Sequence, residues 1–585
     1  MADRISYRCT DVCIHKITVL SSPINHWIYS VCTLPIMQLL HIASVFVLIA
    51  TSQASLKPKN FQERCLALSQ TVQSNDYPVT VNIADYIAPN VTLDPLSEGV
   101  NSTCAEQLAM LGPYPIPVGV CRLNLRVETS SQSETMVEVW LPERWEGGRV
   151  LTTGTGGLSG SCNIGGWKTG IQYSTLSFAS SYGFVSIGID AGHSGTSAGA
   201  FYNKPEVFED FSWRAVYAST LVGKEITKQF YQQDLGKSYY MGCSMGGRQG
   251  WATIQRNPEL FDGVVAGAPA LDYAGLMALF GTALQEIRLG TDDPLLSAEQ
   301  WSAIQYESFK QCDLIDGAND GILEDPKACH LDWKPLSCAT NTTSTCLTTT
   351  QISAASKLFS PVLYNGTTLL PTGFDHGIEL LLSSYLNTSI ISETLTEYYR
   401  YIIYNDLTWN ISTLSLSDAK YAHDLDRANF SAFDPDISAF RDRGGKVLHW
   451  HGAADMVIPA GISDAYYAAV QTKLNATTAQ LDEFYRYFRT GGVYHCTDGP
   501  GASSMGQFGG LTTAGGTTPE DNMLLRIVEW VERGGAPEFV EGAKVGVDGE
   551  VEFRRRHCKF PRVNVYSGDG DGKDEDGWQC VERVG

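Results

Sequence analysis

The chain has 585 residues, a formal charge of −22 and a pI near 4.9. That acidity excludes a nucleic-acid partner, because affinity for phosphates comes from Lys and Arg. Apolar residues make up 43%, beside 56 Gly and 24 Pro, which fits a loop-rich globular protein and excludes a disordered or fibrous one.

In chain order, residues 39–50 read LLHIASVFVLIA and run into small residues at Ser52 and Ala54. Such a run is too short to span a bilayer comfortably and reads as the apolar part of a signal peptide, so residues 1–54 are assigned to a targeting region, with Met37 as the expected start. The expectation is secretion, with no membrane partner. Beyond Ala54 twelve cysteines remain: Cys65, Cys104, Cys121, Cys162, Cys243, Cys312, Cys329, Cys338, Cys346, Cys496, Cys558 and Cys580. An even set in a secreted chain reads as six disulfides, whose pairing spacing alone does not give. Asn-x-Ser/Thr sequons at Asn90, Asn101, Asn341, Asn365, Asn387, Asn410, Asn429 and Asn475 agree with that compartment.

Residues 121–128 and 134–142 alternate apolar and polar positions, predicting an opening hairpin. RVLTT (149–153) predicts a strand entering the glycine-rich loop GTGGLSG, and FVSIGID (184–190) a buried strand ending at AGH. A helix over 213–231, a strand at SYYMG, a sharp turn at GCSMGG, a helix at RQGWATIQR and a strand at DGVVAGAP follow. This order is an α/β pattern with parallel strands, and residues 55–274 are read as the first part of an α/β-hydrolase domain. Between 275 and 440 the periodicity weakens, predicting an inserted lid. The pattern resumes in 441–585 with GKVLHWHG (445–452), a helix after Pro459, a strand at 484–489, and a last helix capped by Thr518 with Pro519 at its first position.

Gly242-Cys243-Ser244-Met245-Gly246 fits G-x-S-x-G, the nucleophile elbow, and its strand-before, helix-after context is the one the motif requires. A serine hydroxyl needs a base, and the base needs an acid to orient it. In α/β-hydrolases the chain order is Ser, acid, His on loops after successive strands. Asp455 follows GKVLHWHG, and His495 follows FYRYFR. His193 and His451 are read as groups supporting the site or facing substrate, His449 as lying within its strand, and Asp482 as standing at the wrong end of the sheet. The oxyanion donors expected are the N–H of Met245 with that of Gly156 or Gly157.

Cys243 precedes the nucleophile and Cys496 follows the base, so a bond between them would pin both catalytic loops together. Cys-Ser, then Asp, then His-Cys resembles the tannase and feruloyl esterase family. The likeness extends through GCSMGGRQG (242–250), DGVVAGAPA (262–270), DAGHSGTSAGAF (190–201), GKEITKQFY (223–231) and GGKVLHWHGAAD (444–455). Within that family the chain looks more like fungal feruloyl esterase B than tannase proper. It departs from the pattern at Met245, where relatives often carry a smaller polar residue, and at GTGGLSG, where relatives often start with Asn.

The resemblance implies the pairing 65–121, 104–162, 243–496, 312–329, 338–346 and 558–580. It also implies a structural calcium ion in CDLIDGANDGILEDP (312–326), held by Asp313, Asp316 and Asp320 with the carbonyls of Ala318 and Ile322. On residue types alone a solvated acidic turn explains that loop equally well. The tail 567–580 is read as a solvated loop closed by Cys558 and Cys580. No organic cofactor is expected. The substrate implied is a hydroxycinnamate ester such as a feruloyl ester of a plant cell-wall polysaccharide, with lid aromatics in 398–409 available to stack on its ring. Galloyl ester hydrolysis, as in a tannase, is the alternative activity, and a silent glycan-binding protein on the same scaffold is a remoter one. A homodimer is left open.

Overall fold

The computed structural model of the protein describes residues 60–93, 114–160, 171–288, 294–340, 343–507 and 516–583. The targeting region with Met37, the sequons at Asn101 and Asn341, and Cys104 with Cys162 lie outside them. Asn60–Gly585 packs as one compact unit.

Nine strands form the central sheet: β1 (Val79–Ile87), β2 (Val120–Glu128), β3 (Glu134–Pro142), β4 (Val150–Thr153), β5 (Val185–Ile189), β6 (Ser238–Cys243), β7 (Gly263–Gly267), β8 (Lys446–Gly452) and β9 (Tyr485–Thr490). Their spatial order is β1-β2-β3-β5-β4-β6-β7-β8-β9. The first three strands pair antiparallel, as does β3 with β5, and every later pairing is parallel. The predicted hairpin is β2–β3, in register from Val120 opposite Pro142 to Glu128 opposite Glu134. Strands β4, β5 and β7 are buried at every position, as a sheet covered on both faces requires.

Five helices supply the cover: α1 (Ile171–Ser181), α2 (Ala215–Tyr231), α3 (Met245–Arg256), α4 (Gly461–Lys473) and α5 (Met523–Arg533). Phe178 of α1 and Leu524 and Ile527 of α5 pack on Leu151, Val265 and Leu448. On the other face, α3 and α4 pack Trp251, Ile254, Tyr466 and Val470 against Tyr240, Val264 and Tyr485. The last helix starts later than expected. Asn522, not Thr518, caps it, because Asn522 Oδ1 accepts from the N–H groups of Leu524 and Leu525. Thr518 turns its hydroxyl to Asp521 Oδ1 at 3.0 Å instead.

Between β7 and β8, helices at Tyr273–Glu286, Ala298–Cys312, Thr349–Leu358, Glu379–Leu386, Ser389–Glu397 and Leu416–Leu425 replace the sheet pattern. The first is capped by Asp272, just before the expected lid boundary. Leu276, Leu382 and Tyr398 of this insert share one apolar cluster with Ile189, Trp251 and Val264 of the sheet layers. The tail is less solvated than its composition suggests. Val563–Tyr566 pairs with Trp578–Val581, Trp578 is buried, and Arg555 stacks over its ring at 4.0 Å.

Disulfides join Cys65 to Cys121, Cys243 to Cys496, Cys312 to Cys329, Cys338 to Cys346 and Cys558 to Cys580. Among the described residues no helix is long and apolar enough to cross a membrane.

Candidate active site

Strand β6 ends at Cys243 and α3 begins at Met245, so Ser244 alone makes the turn, at φ 62° and ψ −122°. A side chain in that region of backbone space costs about 1–3 kcal/mol and persists only when its surroundings hold it. Three hydrogen bonds do so: Ser244 N–H donates to Gly267 O, and its carbonyl accepts from Arg248 and Ala270. The turn also needs Gly246, where a Cβ would stand 2.8 Å from Thr155 O.

The other two residues arrive on the loops after β8 and β9. His495 Nε2 lies 2.9 Å from Ser244 Oγ, and His495 Nδ1 lies 2.7 Å from Asp455 Oδ2. Asp455 is buried, and its Oδ1 accepts from the N–H groups of Val457 and Ile458. Burial opposes its charge, but the imidazoles of His495 and His451 outweigh that and hold the carboxyl well below the usual range. An ionised Asp455 accepts from His495 Nδ1–H, which leaves Nε2 free to take the Ser244 proton.

The loop Gly154–Gly160 passes beside the start of α3. Thr155 N–H is taken by Gln249 Oε1 at 3.0 Å, and Gln249 Nε2 returns to Thr155 Oγ1. Gly154 donates to Met241 O, Ser159 to Gly156 O and Gly160 to Gly195 O. Among the described residues no backbone carbonyl claims the N–H of Met245 or Gly157. Met245 turns its side chain away, its Sδ accepting from Arg248 Nε. Arg248 is itself fully buried and donates to the carbonyls of Phe430, Phe211 and Ser212, tying the insert to α3.

The remaining candidates fall in distinct places. His193 Nε2 donates to Leu158 O at 2.9 Å, so it braces the glycine-rich loop. Burial lowers its basicity, which favours the neutral ring. His451 Nε2 lies 3.3 Å from Asp455 Oδ2, and His449 sits deeper in the same strand. Asp482 pairs with Lys559 at 2.6 Å, away from the triad loops. Lid aromatics pack mainly on one another, Tyr399 on Trp409 and Tyr404 on Tyr421. Tyr398 lines a cavity of about 140 Å³ with Phe208, Tyr273 and Phe430.

In the acidic loop, Asp313 accepts from Gly321 N–H, Asp316 from Ala318 and Glu324, and Asp320 from Ile322 and Arg555. The donor set is all oxygen, as a hard cation takes, and each oxygen so engaged keeps a further lone pair. Among the described residues no three acidic, imidazole or thiol side chains converge as metal ligands do. A cation here would draw on carbonyl and water oxygens for much of its shell.

The model of the family described as tannase and feruloyl esterase matches residues 119–581. The chain belongs to this family. It is 39% identical over 544 residues to a protein named probable feruloyl esterase B-2 from Neosartorya fischeri, covering 92% of this chain and 99% of that one. It is 38% identical over 528 residues to feruloyl esterase C of Talaromyces stipitatus, covering 89% and 95%. The crystal structure of feruloyl esterase B from Aspergillus oryzae superposes with a TM-score of 0.80 at 37% identity, covering 89% of this chain and all of that one. Tannin acyl hydrolase from Aspergillus niger shares the fold, with a TM-score of 0.67 at 19% identity over 90% and 96% of the two chains. As a member of this family the protein is a carboxylic ester hydrolase with the α/β-hydrolase fold.

The reading of the sequence missed Gln249 and Arg248. Both lie in GGRQG, on the helix that starts at the nucleophile, and their polar character inside a buried helix was the available signal.

Proposed function

We propose that the protein is a secreted feruloyl esterase in which Ser244, His495 and Asp455 are the catalytic triad. The observation that carries this is the pair of contacts at 2.9 and 2.7 Å linking the three side chains in order. Ser244 Oγ attacks the ester carbonyl as His495 Nε2 takes its proton, and Asp455 stabilises the imidazolium. The N–H of Met245, with that of Gly156 or Gly157, receives the negative charge that develops on the carbonyl oxygen. His495 then gives its proton to the leaving alcohol, and water, deprotonated by the same imidazole, releases the acid from the acyl-enzyme.

The relatives named feruloyl esterase support a hydroxycinnamate such as ferulate as the acid. The alcohol is then a sugar of plant cell-wall polysaccharide, so the reaction contributes to xylan degradation. Secretion is supported by five disulfides among the described residues, by the apolar run at 39–50 and by exposed sequon asparagines at Asn90, Asn365, Asn387, Asn410, Asn429 and Asn475. Glycans on those six asparagines follow from the same reading. The loop of Asp313, Asp316, Ala318, Asp320 and Ile322 is proposed to hold calcium, whose contribution is to fold the insert and not to act on the ester.

The test is a rate panel on methyl esters of ferulate, caffeate, p-coumarate and gallate. Hydroxycinnamates are expected to be cleaved with the higher kcat/KM. Preference for methyl gallate would overturn the substrate assignment.

A further inference from the structure

From Asp455 Oδ2, the oxygen that also takes His495, four polar side chains run in single file through the core. Tyr485 Oη lies 2.8 Å from His449 Nδ1, and His449 Nε2 lies 2.8 Å from Ser463 Oγ. Ser463 Oγ lies 2.7 Å from His451 Nδ1, and His451 Nε2 reaches Ile458 O at 2.9 Å and Asp455 Oδ2 at 3.3 Å. All four are fully buried.

One atom fixes every proton in this file. Ile458 O can only accept, so His451 carries its hydrogen on Nε2. A neutral ring then has a bare Nδ1, which must receive the single hydroxyl proton of Ser463. Ser463 Oγ, having given that proton away, accepts from His449 Nε2–H. The bare Nδ1 of His449 is left to accept from the Tyr485 hydroxyl. Every bond points toward the acid.

We propose that this chain of donors keeps His451 neutral beside Asp455, making His451, Ser463, His449 and Tyr485 positioning residues for the triad; the idea rests on the triad reading above. A second proton on His451 would have to sit on Nδ1, where Ser463 already donates. Accepting it would reverse the whole file, Ser463 donating to His449 Nε2 and His449 Nδ1–H to Tyr485 Oη, so that the buried Tyr485 proton would lose its acceptor, and an unpaired buried donor is costly. An imidazolium at His451 would also cancel the charge of Asp455, which then could not stabilise the imidazolium forming at His495. Burial holds His449 well below the usual imidazole range, so the second ring of the file is neutral as well.

The titratable groups facing this file come from each neighbouring element. Asp455 and His495 face it from the site loops, and Tyr385 of the insert feels the charge of Asp455. Tyr487 of β9 packs on His449 at 4.6 Å. Tyr466, Tyr467 and Asp464 of α4 surround Tyr485, with Asp464 paired to Arg489 at 3.6 Å. Of these groups only Asp455 reaches His451, its Oδ2 lying 3.3 Å from Nε2 beside Ile458 O at 2.9 Å, and as a second acceptor it calls for the same hydrogen on Nε2.

Two measurements test the proposal. The first is the pH profile of kcat/KM on 4-nitrophenyl acetate for the wild type, Ser463→Ala, Ser463→Thr, Tyr485→Phe and Ser244→Ala. Ser463→Ala is expected to lower kcat about tenfold at unchanged KM and to raise the acid limb by about one pH unit. Ser463→Thr, which restores the hydroxyl, should return the limb to the wild-type position, and Tyr485→Phe should move it in the direction of Ser463→Ala by less. A wild-type profile in Ser463→Ala overturns the proposal. The second is a neutron structure of the wild type, which needs no variant to fold. Hydrogen on Nε2 of both His449 and His451, with none on either Nδ1, is expected; hydrogen on Nδ1 of His451 overturns it. An active Ser244→Ala would sink the triad reading instead, and the neutron map would still decide the direction of the file.

Discussion

Cys243 is bonded to Cys496 across 253 residues of sequence, with Ser244 next to one sulfur and His495 next to the other. The proposed nucleophile and base therefore sit on loops that share a covalent link. Replacing both cysteines by Ala should lower kcat about 100-fold, the scale on which a displacement near 1 Å acts, and should lower stability by about 2–5 kcal/mol. Steady-state rates and a thermal melt measure the two losses separately. A melt that falls with kcat unchanged would mean that the bridge serves the fold alone.

Gln249 holds the glycine-rich loop, proposed to carry the second oxyanion donor, by two bonds to Thr155. Gln249→Leu removes both while keeping the bulk of the side chain. We expect kcat to fall by about 10- to 100-fold with KM changed far less, because the groups disturbed act on charge that exists only in the transition state. A rise in KM at constant kcat would assign Gln249 to substrate binding.

Asp190, at the end of β5, is buried, and burial pushes its carboxyl up to about 7 although Thr135, Gly192 and Met136 all donate to Oδ1. In the unfolded chain the same group titrates near about 4. The protonated form is thus favoured by the fold, so this contribution to stability is complete below about pH 4 and is lost as pH rises through 7, on the order of 4 kcal/mol in all. Asp190→Asn stays neutral and keeps one oxygen for the three donors. Its melting temperature should be less sensitive to pH between 4 and 7.5 than that of the wild type. Parallel curves would show that Asp190 is ionised throughout.

Removal of calcium is expected to lower the melting temperature and leave kcat unchanged at temperatures where the fold persists, because the acidic loop supports the insert and takes no part in the ester chemistry. Melts with EDTA, and with calcium restored, measure this. An unchanged melt would leave Asp313, Asp316 and Asp320 as an acidic turn held by backbone donors.

Much of this architecture was legible from local pattern. Strands such as β7 are continuous apolar runs, and the elbow glycines announce a turn that few other sequences make. The site was legible because each triad residue follows a strand in chain order and two carry an adjacent cysteine. What stayed hidden depended on distant partners. Strand β1 reads as mixed because it is an edge, and the cap of α5 went to Asn522 because Asp521 had already claimed Thr518. Arg555 bridges the tail to Asp320 and Glu324, more than two hundred residues upstream, and no window of sequence reveals that. The tautomers behind Asp455 are set by a single carbonyl, which side-chain pattern does not record.

The central claim is that Ser244 is the nucleophile. Treating the wild type and Ser244→Ala with a fluorophosphonate and mapping the adduct by peptide mass spectrometry tests it directly. One phosphonyl group on Ser244, with total loss of esterase activity, and no adduct on a folded Ser244→Ala protein is the result the account predicts. Labelling at another serine, or undiminished hydrolysis by Ser244→Ala, would contradict it.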